Sequence, residues 1–519
     1  MRSPAWVDVA CIAAGAVLFL AFSPGNFVVV AVASLAVLFR AVLRASPRRA
    51  FWRGWLFGAA GFGAGLWWIS ESFQYRDIGI GPAAGLTGLL ACVLALYPAL
   101  FAWASARFLG GGGPIPDARA NAAAGLWWLP ATWTLFEWLR GTLFSGFTWL
   151  QVGYAGLESP LASYAPVAGS HAVGLALAAT AASVALMGTA RPRAIVGAVA
   201  VSGLLWAGGM VMAALDVNEG WTQPAGDPVR VLVVQGNVAQ DEKWTEQGRR
   251  AALDRYSELT ARHPGAEVVV WPETAIPYFA ARIRPFLRAA GEAAESAGYV
   301  LLSGLLSFDP ASGGAYNSVA GISSPQSADP PSYYHKRHLV PFSERMPFQA
   351  VIAPIARWLR FPTEGFAPGA AQQPPLRAGG HDIAVSICYE ITFGASIARD
   401  LGNAALLVNV SNDAWFGRTA GPHQHFQMAR MRALELGRWL VRSTNTGISA
   451  IVTPEGRVAA SVPAFEAGVL EFDVPPLEGR TGYARWRDVP VLVLIALLLL
   501  IAWRVRARAR RTQAALPRP

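Results

Sequence analysis

Asp382-Ile383-Ala384-Val385-Ser386-Ile387-Cys388-Tyr389-Glu390 reads as a mostly apolar strand that stops at a thiol. A cysteine where a buried strand ends can form the floor of a pocket. It can equally be a small buried hydrophobe, since free Cys is among the most buried residue types. What the rest of the chain brings to Cys388 decides between the two.

The chain has 519 residues, 53% hydrophobic and only 15% charged, which argues against a soluble multidomain protein and for membrane spans. Its cysteines are Cys11, Cys92 and Cys388, and the first two fall inside apolar stretches, so no disulfide framework is expected. No CxxC pair or Cys/His cluster suggests a metal, and no cofactor is implied.

Seven long apolar segments lie near 6–23, 26–44, 54–72, 83–106, 121–139, 165–190 and 194–215, and a shorter eighth at 489–503. Most reach the roughly 20 residues a helix needs to cross ~30 Å of hydrocarbon. With the N-terminus inside, the inner loops and tails hold sixteen arginines, and the outer short loops only Arg76 and Arg140. The positive-inside rule then puts both termini in the cytoplasm and 216–488 outside. The net charge of +10 is thus mostly a topology signal, and nucleic acid is not an expected partner. At the outer end of the fifth span, Glu137 and Arg140 precede a Gly- and aromatic-rich run, Phe144 to Tyr154, that includes Trp149. It reads as an interfacial belt with a local ion pair, or as an arm beside a lipid-facing site.

From Val229 the texture changes. Val229–Val238, Val268–Trp271, Val300–Leu306, Ile383–Ile387 and Leu406–Val410 have strand length, and 241–263, 282–297 and 423–440 look helical. Alternating strands and helices indicate an α/β domain. The expected organisation is a membrane domain at 1–215, a linker at 216–227, an α/β domain at 228–475, and a last span with a basic tail at 476–519.

Two further stretches bear on Cys388. Val268-Val269-Val270-Trp271-Pro272-Glu273 ends a buried strand at a proline and follows it with a carboxylate. Tyr334-His335-Lys336-Arg337-His338-Leu339-Val340-Pro341-Phe342-Ser343-Glu344 supplies a lysine. Alone, Glu273 reads as a helix-start acid and Lys336 as a surface cation. Together with Cys388 they provide what acyl transfer through a thiol needs. The thiolate is the nucleophile, a carboxylate exchanges its proton, and an ammonium favours the thiolate and holds a developing oxyanion. The backbone N–H of Tyr389 is the natural second oxyanion donor.

Trp-Pro-Glu, then Lys-x-His-Leu-Val-Pro-Phe, then Cys-Tyr-Glu resembles the nitrilase, or carbon–nitrogen hydrolase, superfamily. The whole chain resembles its membrane-embedded branch, the apolipoprotein N-acyltransferases. Val231 to Asn237 with Lys243-Trp244 fits that branch's domain opening, and Asn409 to Gly417 its strand and loop after the cysteine. Ser343 departs from the more usual glycine. The resemblance implies a multi-pass α-helical membrane domain plus an extracytoplasmic nitrilase-like αββα sandwich. It implies Glu273 as general base, Lys336 as oxyanion stabiliser and Cys388 as nucleophile. Glu344, Tyr389 and Glu390 would support them, Trp244 would sit on a mobile loop over a lipid entrance, and Trp149 and Asn412 would border substrate. A ping-pong transfer is implied, from phosphatidylethanolamine to the amine of a diacylglyceryl apolipoprotein, by a monomer in a bacterial inner membrane with its catalytic domain in the periplasm.

The residues alone also allow a membrane-tethered amidase or nitrilase that transfers to water, or a membrane protein whose α/β domain only binds. Residues 346–368 suggest an amphipathic helix at a lipid surface. Asn409, Asn412 and Asp413 read as turn formers, and Arg430, Arg432, Glu435 and Arg438 as a solvated or ion-paired helix face.

Overall fold

The computed structural model describes residues 5–43, 45–76, 78–110, 116–187, 192–215, 220–328, 331–346 and 365–514. The chain forms two compact units. One comprises Met1–Val217, Arg418–Gln427 and Arg485–Pro519; the other comprises Asn218–Gly417 and Met428–Ala484.

The first unit is helical. Each of the eight apolar stretches read from the sequence carries helix, among them Ala5–Val17, Val28–Leu43, Pro47–Gly65, Ser170–Leu186 and Val489–Ala514. Among the described residues, three helices are long and apolar enough to cross a membrane: Ile80–Leu109, Val196–Ala214 and Val489–Arg508. Ala5–Ala21, Val28–Leu43 and Ser170–Leu186 are apolar but shorter. The last helix returns to this unit, where Val491 and Ile495 pack with Ala131 and Leu175. Arg53, assigned to an inner loop by sequence, is 2% exposed. Its Nε donates to Asp8 Oδ1 at 3.0 Å and its Nη1 to the Ala41 carbonyl at 2.8 Å, so the paired charge joins three helical segments. Arg140 and Glu137 are likewise buried. Arg140 donates to the Phe147 carbonyl at 3.0 Å and lies 3.7 Å from Glu137, whose Oε1 accepts from Val152 N–H at 2.9 Å. This pair folds the aromatic run back on its helix.

The second unit contains two large sheets. Neighbours in the first run Gly468–Val474, Val229–Gln235, Val268–Val270, Val300–Asp309, Gly314–Ile322 and Ser332–His335, with Ile276–Phe279 beside Val300–Asp309. Neighbours in the second run Val458–Val462, Ser449–Val452, Leu440–Thr444, Leu406–Ser411, His381–Ile387 and Leu376–Ala378. The centre of each is parallel and its rims antiparallel.

Side-chain alternation explains the layering. Val229, Val231 and Val233 join Ile383, Ile387, Leu406, Val408 and Val410 in a core between the sheets. Leu232 and Val234, on the opposite face, join Ala252, Leu253 and Tyr256 of helix Glu246–Ala261 and Leu287 of helix Arg284–Ala297. Strands buried on both faces must be apolar throughout, which is why these runs read as continuous valine and leucine.

The helix expected over 423–440 runs instead from Gly421 to Leu436. Gly437 adopts φ 58°, a conformation that ends helices and favours glycine, and Leu440 already begins a strand. The amphipathic helix read at 346–368 lies mostly outside the described residues.

Candidate active site

Parallel strands deliver their C-terminal ends to one region of the second unit. Val268–Val270 leads to Glu273, His381–Ile387 to Cys388, and Leu406–Ser411 to Asn412. Lys336 follows the edge strand Ser332–His335, and its N–H donates to the Asn317 carbonyl at 2.8 Å. That pairing sets Lys336 opposite Asn317.

The Glu273 turn is tight. Ala275 N–H closes on the Pro272 carbonyl at 3.1 Å, and Thr274 adopts φ 49°. The turn presses on strand Val300–Asp309 at Gly304, where a Cβ would come within 2.5 Å of both the Pro272 carbonyl oxygen and Thr274 N. Only glycine fits there.

Glu273, Lys336 and Glu344 form one buried cluster. Lys336 Nζ donates to Glu273 Oε1 at 3.1 Å and to Glu344 Oε1 at 2.9 Å, and is 1% exposed. Asn317 Nδ2 bridges the same two oxygens, at 2.7 Å and 3.1 Å. The second oxygen of each carboxylate takes a backbone N–H: Asn412 to Glu273 Oε2 at 2.9 Å, and Val340 to Glu344 Oε2 at 2.8 Å. Burial alone would lower the Lys336 ammonium, but Glu273 and Glu344 outweigh it and hold it well above the usual lysine value. Burial pushes the Glu273 carboxyl up, while Lys336 and Asn317 more than reverse this and hold it below its ordinary value. Glu273 is therefore an anion at neutral pH, able to accept a proton.

Cys388 is buried and adopts φ 50°, at the first residue of a short 3₁₀ turn. A cysteine in the left-handed region is strained and is held there by its surroundings. Glu390 supplies much of that hold. Its Oε2 accepts from Ile387 N–H at 2.9 Å and Tyr334 O–H at 3.1 Å, and its Oε1 from Arg337 N–H at 2.7 Å and His338 N–H at 3.2 Å. One carboxylate thus ties the cysteine turn to the lysine segment. Burial pushes the Cys388 thiol well above its ordinary value, and the Glu273 charge adds to this. Lys336 acts in the opposite direction, as the sequence suggests, but its ammonium is already balanced by two carboxylates and does not prevail. The resting group is a thiol, so a base is needed to activate it.

Tyr389 is buried and meets Phe393 edge-on at 5.0 Å between ring centres. Asn412 meets the cluster through its backbone, while its side chain donates to Gln240 Oε1 at 2.8 Å. Trp244 is half-exposed, with the Arg249 guanidinium 5.8 Å from its ring centre. Trp149 belongs to the helical unit, where its indole N–H donates to Gln424 Oε1 at 2.9 Å. Asp413 is more than a turn former, since it makes a fully buried 2.8 Å ion pair with Arg442. Of the two readings of the charged helix face, the ion-paired one holds for Arg432 and Glu435, which are buried and pair at 2.9 Å; Arg438, past the helix end, is also buried and donates to the Ala404 and Gly479 carbonyls.

Sequence reasoning missed Asn317, Gly304, Gln240 and Lys243 as parts of this site. The sequence offers Lys243 only as a neighbour of Trp244, yet its Nζ donates to Thr274 Oγ1 at 2.8 Å, one residue past Glu273.

The family models and the curated relatives point to the same family. The family model for the apolipoprotein N-acyltransferase N-terminal domain matches residues 14–183, and that for carbon–nitrogen hydrolase matches 230–481. An apolipoprotein N-acyltransferase of Methylococcus capsulatus is 40% identical over 503 residues, covering 96% of this chain and 95% of that one. A namesake of Pseudomonas putida is 38% identical over 512 residues, covering 97% and 98%. A solved CN-hydrolase superfamily protein of Xanthomonas campestris is 18% identical and covers 52% of this chain and 97% of its own, with a TM-score of 0.35. Near full-length identity, with both domains matched in order, makes this chain a member of the apolipoprotein N-acyltransferase family and an acyltransferase enzyme.

Proposed function

We propose that the protein transfers an acyl chain from a membrane phospholipid to the N-terminal amine of a diacylglyceryl apolipoprotein, through a thioester on Cys388. The observation that carries this reading is the buried Glu273–Lys336–Glu344 cluster at the strand ends, where the strained, buried Cys388 turn is tied to the lysine segment by Glu390. Glu273 takes the thiol proton as sulfur attacks the ester carbonyl of the donor. Lys336 and the Tyr389 N–H face the oxyanion that forms. The tetrahedral intermediate collapses, the C–O bond breaks, and Glu273 returns the proton to the departing lysophospholipid. In the second half the acceptor amine attacks the thioester, Glu273 takes its proton, and the thiol is restored as the C–S bond breaks. Glu344 orients Lys336, and Glu390 and Tyr389 shape the cysteine turn. Trp244, Trp149 and Asn412 border substrate.

Both substrates are membrane-anchored, which suits a catalytic unit (228–475) joined to the helices at 1–215 and 476–519. The arginine distribution supports cytoplasmic termini and a catalytic unit on the opposite, periplasmic side of the inner membrane; the family resemblance suggests phosphatidylethanolamine as the donor, and the proposed working unit is a monomer. The test uses purified protein, phosphatidylethanolamine vesicles and a synthetic diacylglyceryl-cysteine peptide. Triacylated peptide by mass spectrometry from wild type but not from Cys388→Ala supports the reading. Free fatty acid with unmodified peptide shows a hydrolase instead.

A further inference from the structure

We propose that Lys243 is a positioning residue that fixes the Glu273–Thr274 turn, and with it the base, through the loop that also bears Trp244. The proposal rests on the reading of Glu273 as the general base.

The loop leaves strand Val229–Gln235 and ends at helix Glu246–Ala261, where Thr245 Oγ1 caps Gly248 N–H at 3.0 Å. A turn from Ala239 to Lys243, closed by a 3.0 Å backbone bond, directs the lysine inward. Lys243 is 1% exposed, whereas Trp244, the next residue, is 39% exposed. The Lys243 ammonium donates to Thr274 Oγ1 at 2.8 Å and toward the Glu273 carbonyl at 3.4 Å. Thr274 is β-branched and sits at φ 49°, a conformation such residues adopt only when held. Lys243 contributes to that hold, as does the close approach of Gly304.

The loop reaches Glu273 a second time. Gln240 Oε1 accepts from Asn412 Nδ2 at 2.8 Å, and Asn412 N–H is the donor to Glu273 Oε2. One ten-residue loop thus contacts both the backbone of the base and, through Asn412, its carboxylate. No carboxylate side chain is hydrogen-bonded to Lys243 among the described residues, and burial lowers its ammonium to about 7, opposed by the nearby Glu273 charge. A purely structural donor to a hydroxyl could be neutral and cheaper to bury. A lysine here places switchable positive charge beside the base. The groups acting on Glu273 are Lys336, Asn317 and Lys243; its charge acts in turn on Cys388, and Glu344 shares Lys336 and Asn317 with it.

The test uses the full-length enzyme in detergent, with phosphatidylethanolamine and a diacylglyceryl-cysteine peptide, and reads kcat, KM, the pH profile and thermal unfolding. Lys243→Met is expected to lower kcat about ten- to a hundredfold with KM within twofold, because small misplacement of a reacting group is costly. The acid limb of kcat moves to higher pH, since Glu273 loses a neighbouring cation. Lys243→Arg restores the acid limb. Thr274→Val, which preserves shape, lowers kcat, and the Lys243→Met/Thr274→Val pair is no worse than Lys243→Met. An unchanged kcat and acid limb in Lys243→Met, or multiplicative losses in the pair, overturns the coupling. If Lys243→Met fails to fold, Lys243→Arg and Thr274→Val decide by the same readouts. Glu273→Gln runs alongside: its retaining activity sinks the base reading, whereas its inactivity beside a normal Lys243→Met sinks only the coupling.

Discussion

Lys336 Nζ lies 3.1 Å from Glu273 Oε1 in a site that leaves the lysine 1% exposed. The two charges are useful only as a pair. Removing the ammonium strands Glu273 and Glu344 together, two carboxylates without their shared cation. Lys336→Met should abolish transfer and destabilise the catalytic unit by about 3–5 kcal/mol, the usual cost of breaking a buried pair. Lys336→Arg should not rescue, because a planar guanidinium does not fit a point-charge site. Activity and thermal unfolding in detergent check both.

Asn317 donates to both glutamates with one amide nitrogen. Asn317→Leu keeps the size and removes both bonds. Hydrogen bonds to charged groups contribute roughly 1.5–3 kcal/mol each. Glu273 should regain part of its ordinary proton affinity, moving the acid limb of the rate profile upward. Asn317→Asp should be worse, since it adds a third carboxylate. Rate profiles of the two variants test the order.

Gly304 admits the Glu273 turn at a distance no Cβ allows. Gly304→Ala should displace the turn and cost activity out of proportion to stability, on the order of a hundredfold if the base moves by about 1 Å. Steady-state rates beside unfolding midpoints separate the two effects.

Acid sensitivity follows from Glu273. Its folded proton affinity is below the ordinary value, so the unfolded chain binds the proton more readily. Its stabilising contribution is complete above the unfolded carboxylate value and is lost as pH falls through the lower folded value. Unfolding midpoints should therefore drop in that acid window, and Glu273→Gln should flatten that part of the curve.

Glu390 accepts four hydrogen bonds across two chain segments. Glu390→Gln replaces one accepting oxygen with a donor that must face an N–H or O–H. Cys388 should then leave its strained turn, lowering both transfer and the unfolding midpoint, with Glu390→Ala lower still.

The sequence was most legible where the chemistry lies in short motifs. Glu273, Lys336, Cys388 and Glu390 all follow or border a strand whose apolar run announces its end. The valine runs were legible as strands because both faces are buried. Gly314–Ile322, by contrast, mixes Asn317, Ser318 and glycines among its apolar residues, so the strand carrying the bridging amide escaped notice. Lys243 and Gln240 escaped because their partners are 31 and 172 residues away, and nothing local distinguishes a buried lysine from a surface one. Arg432 and Glu435 show the same limit: the sequence allows a solvated or an ion-paired helix face, and only their burial decides for the ion pair. The state of the Cys388 thiol was also hidden, since it depends on the balance of burial, Glu273 and Lys336 rather than on their presence.

The central claim is a covalent acyl enzyme, and intact-protein mass spectrometry after incubation with phosphatidylethanolamine and no acceptor tests it most directly. A hydroxylamine-sensitive adduct of acyl mass on wild type, absent from Cys388→Ala and discharged by a diacylglyceryl-cysteine peptide, is the predicted result. Folded wild-type protein that transfers acyl chains to the peptide yet never carries an adduct on Cys388 would contradict it.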